Sequence, residues 1–129
     1  MNRPFMSTKL IDLFDRLRSY KVETFLEEYA MGEYEKNTYV NWRDADVVTS
    51  ELKTFNHIVA LDIDYDAHLL PSSTPGHWHL YLDVPGGIPN RQYMKLLKQL
   101  SKCGVIEPGY YRASKKRGHT ALRRPGVEK

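Results

Sequence analysis

The stretch His57-Ile58-Val59-Ala60-Leu61-Asp62-Ile63-Asp64-Tyr65, followed by His77-Trp78-His79-Leu80-Tyr81-Leu82-Asp83-Val84, decides how this chain is read. Apolar and polar residues alternate in both, and successive side chains of a strand point to opposite faces. The first segment therefore reads as a strand with Val59, Leu61 and Ile63 on one face and Ala60, Asp62 and Asp64 on the other. The second reads as a strand with Trp78, Leu80, Leu82 and Val84 inward and His77, His79, Tyr81 and Asp83 outward. If the two apolar faces share a core, Asp62, Asp64, His77 and His79 share the opposite surface, and Asp83 ends its strand in solvent. Between them, Asp66 to Gly76 contains Pro71-Ser72-Ser73-Thr74-Pro75-Gly76 and reads as a turn-rich loop.

Helical spacing dominates on either side. Ser7 or Thr8 caps a helix running to about Tyr20, with Leu10, Leu13, Phe14 and Leu17 at i, i+3, i+4 and i+7. A second helix, from about Val22 to Tyr34, groups Phe25, Leu26 and Tyr29 and leaves its glutamates in water. Trp42, Val47, Val48 and Leu52 are buried anchors of the next stretch. Beyond Pro85-Gly86-Gly87, Asn90 caps a helix with the stripe Tyr93, Leu96, Leu97 and Leu100 and a stop at Gly104. Glu107-Pro108-Gly109 reads as a turn, and His119 to Arg123 as a final strand. The fold class is α+β, with an antiparallel sheet packed against helices. Residues 1–55 form a mainly helical N-terminal part, and residues 56–129 an α+β core with a basic C-terminal segment.

With 129 residues, 41% hydrophobic and 27% charged, the chain fits one folded domain. Its single cysteine, Cys103, forms no internal disulfide and reads as a structural thiol in a reducing compartment. No apolar run approaches the roughly 18 residues of a membrane span, and no signal-peptide core follows Met1. A cytoplasmic protein is expected, without a membrane partner. Net charge is only +3, but from Arg112 onward Arg112, Lys115, Lys116, Arg117, Arg123, Arg124 and Lys129 face Glu128 alone. Such a patch attracts phosphate polymers, and Tyr110 and Tyr111 beside it offer stacking surfaces.

Two constellations can carry chemistry. Asp62 and Asp64 on one strand face are close enough to share a hard divalent cation, Mg²⁺ or Mn²⁺, together with a nucleotide's phosphates. His77 and His79, similarly spaced, suit a metal or phosphate, and the loop before them offers Ser73 and Thr74 hydroxyls to phosphate oxygens. No P-loop, dinucleotide fingerprint or Gly-x-Ser-x-Gly elbow is present. His119-Thr120 lacks the second His-x-Thr of a two-histidine phosphoesterase.

Ser72-Ser73-Thr74-Pro75-Gly76-His77-Trp78-His79-Leu80-Tyr81-Leu82 resembles the second motif of archaeo-eukaryotic-type primase-polymerases, including RepB-type primases. Leu61-Asp62-Ile63-Asp64 is similar to the carboxylate strand that precedes it in that family. Leu122-Arg123-Arg124-Pro125-Gly126 resembles the Arg-Leu-Pro-Gly segment near the end. The resemblance covers residues 56–129. It implies an RRM-like sheet and metal-dependent nucleotidyl transfer. In that chemistry Asp62 and Asp64 are catalytic metal ligands, His79 touches the incoming triphosphate, and Glu107 substitutes for a third carboxylate. Ser73, Thr74, His77 and Arg123 would contact nucleotide phosphates. Tyr111, Arg112, Lys115, Lys116, Arg117 and Arg124 would hold nucleic acid. The whole chain also resembles small proteins of actinobacterial phages, which implies host cytoplasm and no particular activity.

Two alternatives stay open. In one, the basic segment acts without catalysis, binding nucleic acid or a host protein. Otherwise His77-Trp78-His79 fits the His-hydrophobic-His motif of single-strand endonucleases, with Tyr110 or Tyr111 as nucleophile.

Overall fold

The computed structural model describes residues 6–22 and 38–127. They are α+β, with three helices and two small antiparallel sheets, and the N-terminal helix precedes the first sheet as the sequence predicts. The chain divides into two compact units, Met1–Asp62 and Ile63–Lys129.

In the first unit, helix α1 spans Thr8–Arg16, and the Ser7 hydroxyl accepts a hydrogen bond from the Leu10 N–H at 3.2 Å. That cap satisfies one of the amides that helix geometry leaves open. Helix α1 is shorter than its apolar spacing predicts, because Leu17 turns extended and opens strand β1, Leu17–Lys21. Strand β1 is central in a three-stranded sheet, between β2 (Thr38–Val40) and β3 (Val47–Leu52). Pairing on both edges satisfies backbone groups that one more helical turn would not, so tertiary context overrides local period here. Leu17 and Ser19 are buried on one face of β1, while Arg18 on the other pairs with Glu51 of β3 at 2.9 Å. A 3-10 turn, Trp42–Asp44, carries Trp42 edge-on to Phe14 at 5.6 Å. Trp42, Val47, Val48 and Leu52 are half-buried rather than fully enclosed. The helix expected over 22–34 falls, apart from Val22, outside the described residues.

The strand expected over residues 57–65 does not form. His57 makes an isolated bridge to Glu51, and residues 58–66 join no ladder. Val59 and Leu61, expected inside, are 62% and 70% exposed.

In the second unit, β4 (Ala67–Pro71) and β5 (Trp78–Leu82) make an antiparallel hairpin in the register Leu69↔Leu80 and Leu70↔His79. Strand β4 occupies half of what the sequence presents as loop. The link between the strands is a closed turn with Gly76 at φ +81°, a conformation that a Cβ resists. Helix α2, Asn90–Lys102, follows, and its end is closed by the Gly104 N–H on the Ser101 carbonyl and the Val105 N–H on the Leu100 carbonyl. Asn90 is not the cap: its amide reaches the Gly118 carbonyl at 2.8 Å. Within the apolar stripe Leu97 is buried and Leu96 is exposed. Glu107-Pro108-Gly109 is not a turn but the start of helix α3, Pro108–Arg117. Proline suits this first position because its missing N–H would have no helical partner there. The helix stops at Gly118, φ +85°. The strand expected over 119–123 is irregular, and Cys103 is exposed rather than structural.

Candidate functional site

Hairpin register sets the first half of the site. His68, Leu70, His79 and Tyr81 share one face; Ala67, Leu69, Pro71, Trp78, Leu80 and Leu82 share the other. Sequence alternation groups the β5 residues correctly but assigns their faces the wrong way round, and it presents the β4 residues as loop. Trp78 and Leu80 are 60% and 58% exposed, whereas His79 is half-buried. The histidine face is the less exposed of the two, with Leu70 and Tyr81 36% and 43% exposed against 60% for Leu69 on the opposite face. Alternation says which side chains share a face, not which face is covered. A hairpin covered on one face only leaves its other face in water, whatever its composition. His68 joins His79 on this face, and nothing in the sequence signals it, because residues 66–76 carry turn composition.

Residues 72–77 form the link that was expected to cradle phosphate. The Thr74 N–H donates to the Ser72 hydroxyl at 3.1 Å, that hydroxyl donates to the Thr74 carbonyl at 3.1 Å, and the His77 N–H donates to the Thr74 carbonyl at 3.1 Å. Two backbone donors are thereby spent on the turn itself. The side chains of Ser73, Thr74 and His77 remain exposed.

Asp62 and Asp64 are exposed, lie outside any strand, and make no hydrogen bond or ion pair with the described residues. The boundary between the two units passes between them. Without a strand, alternation no longer fixes where the two carboxylates point. Glu107 sits just ahead of α3, where a carboxylate is favoured by the helix's positive end. Among the described residues, no group of three or more His, Cys, Asp or Glu side chains is placed to hold a metal ion.

Helix α3 builds the basic surface. Arg112, Lys115, Lys116 and Arg117 are exposed; Tyr110 and Tyr111 are half-buried, and Ser114 is fully enclosed. Arg112, Lys115 and Lys116 fall at i, i+3 and i+4 and so share one side. Arg123 and Arg124 are exposed in the irregular tail. Burial pushes the Tyr110 phenol above its ordinary value of 10.0, with the Thr120 hydroxyl pulling the other way. A phenol held in its neutral form is a poor nucleophile, which weakens Tyr110 as the attacking group of an endonuclease.

A cavity of about 570 Å³ lies in the first unit, lined by Phe14, Arg18, Tyr39, Trp42 and Lys53 among others and by none of the candidate site residues. Its cations are already engaged. Arg18 pairs with Glu51 and stacks 4.5 Å from the Phe55 ring, and Lys53 donates to the Asp15 carbonyl at 3.0 Å.

Sequence reasoning also passed over Arg91, Lys95, Lys98 and Lys102, all exposed on α2. Their spacing of i, i+4, i+7 and i+11 is the signal, hidden behind the apolar stripe on the same helix.

Comparison with protein-family models, with curated proteins and with solved structures gives no match to this chain. No described helix is long and apolar enough to cross a membrane.

Proposed function

We propose that this chain binds nucleic acid through its second unit, with the exposed side of α3 and the tail after it as the contact. Charge separation between the units carries the reading. Residues 63–129 hold 11 Lys and Arg against 5 Asp and Glu, a net +6, while residues 1–62 hold 8 against 11, a net −3. Helix α3 has four exposed cations and no carboxylate, and Arg123 and Arg124 extend the patch. A concentrated positive surface gains affinity for phosphates by releasing their counterions.

The test is binding of labelled single-stranded and duplex oligonucleotides across a salt series. Affinity is expected to fall with salt, and Arg112→Gln/Lys115→Gln/Lys116→Gln is expected to weaken it. Salt-insensitive binding to a host protein, with no oligonucleotide bound, would overturn the reading.

Metal-dependent nucleotidyl transfer, which the primase-polymerase resemblance implies, is the second reading. The carboxylates of Asp62 and Asp64, exposed and without a partner among the described residues, favour it. Mg²⁺ is commonly held by one or two carboxylates and completes its shell with substrate phosphates and water, so a full protein cage is not required. In this reading His79 lies against the nucleotide. With Mn²⁺, nucleoside triphosphates and a primed template, extension abolished by Asp62→Ala would support it; no product and no nucleotide binding would remove it.

A further inference from the structure

The cations of α2 have no structural explanation. Arg91, Lys95, Lys98 and Lys102 are successive neighbours at i+4, i+3 and i+4, a spacing at which like charges repel. A solvated helix side ordinarily interleaves such cations with glutamate or aspartate; α2 contains neither. None of the four makes an ion pair with a described residue. Lys102, in the last turn, is favoured by the helix's negative end, but Arg91 sits in the first turn, where a cation is disfavoured. The row weakens the helix it stands on unless an anion lies against it.

Its geometry fits a polyanion. At about 1.5 Å per residue the row runs roughly 16 Å, and at about 100° per residue its members stay within an arc of about 60°. That length lets the row reach several phosphates across a duplex surface, where charge is spaced about 1.7 Å along the axis with both strands counted. The lone aromatic of α2, Tyr93, is not on this side: it is half-buried, and its hydroxyl is 2.9 Å from that of Thr120. A side that has cations but no stacking ring contacts backbone rather than unstacked bases.

We infer that α2 is a second nucleic-acid contact, in which Arg91, Lys95, Lys98 and Lys102 hold the phosphodiester backbone of a duplex without reading its sequence. This rests on the proposed nucleic-acid-binding function and adds a surface separate from the exposed side of α3. The experiment is a salt titration of full-length protein on a mixed-sequence DNA duplex and on one of its strands. It compares wild type with Arg91→Gln/Lys95→Gln/Lys98→Gln/Lys102→Gln. At about 0.9 per phosphate contact, the log–log slope on duplex is expected to shrink by about 3.6 in the variant. The conservative Lys95→Arg/Lys98→Arg/Lys102→Arg variant is expected to keep the wild-type slope, and unchanged circular dichroism of both variants would exclude misfolding. Duplex binding that persists with an unchanged slope in the glutamine variant overturns the inference and leaves the α3 reading standing. A loss seen on the single strand alone overturns the duplex assignment. Wild-type protein that binds phosphatidylserine vesicles but no nucleic acid overturns both.

Discussion

Tyr110 shows how a single side chain can be read two ways. In sequence it is an aromatic beside lysines, fit for stacking or attack; in the structure it is half-buried, with its pKa raised. The folded state therefore keeps the neutral phenol where the unfolded chain would ionise it. Its contribution to stability is fully present below the ordinary value of 10.0 and is lost as pH rises through the folded value. An alkaline absorbance titration should show one tyrosine ionising late, and Tyr110→Phe should remove that late component. Asp15 is a second case. Its carboxylate accepts from Trp42 Nε1 at 2.6 Å and from Arg43 at 3.3 Å. These contacts are solvent-exposed, so Asp15→Ala is expected to cost only about 1 kcal/mol in denaturant unfolding followed by Trp42 emission.

At the scale of elements, the β4–β5 hairpin gives the clearest contrast. A buried tryptophan typically costs about 3–5 kcal/mol when truncated to alanine. Trp78, 60% exposed, is expected to cost less than about 1 kcal/mol, with m-values unchanged. A loss in the buried range would mean that the apolar hairpin face is covered. Helix α1 depends on its cap, and Ser7→Ala is expected to lower stability by about 1 kcal/mol. Of the two helices of the second unit, α2 was legible from its apolar spacing and Gly104, whereas α3 was not read as a helix at all. The start of α3 was misread because proline before glycine is turn composition and equally a helix's first turn.

Across the whole molecule, net charge hides the division that matters. A sum of +3 conceals units of +6 and −3, so binding should follow the second unit's cations and leave Asp62→Ala with wild-type affinity for oligonucleotides. Fluorescence anisotropy of that variant checks this, and a large loss would move the phosphate contact toward the carboxylates. By itself, the sequence determined the α+β class, the cap at Ser7, the strand through His79, the α2 helix and the basic end of the chain. Each follows from neighbours within a few residues: side-chain period, capping chemistry, turn residues and charge. Only the tertiary structure decided that Leu17 begins a strand, that residues 58–66 join none, and that His79 rather than Trp78 is the half-buried residue of the hairpin. Those outcomes depend on which distant segment supplies hydrogen-bond partners, and alternation tells which side chains share a face without saying which face is covered.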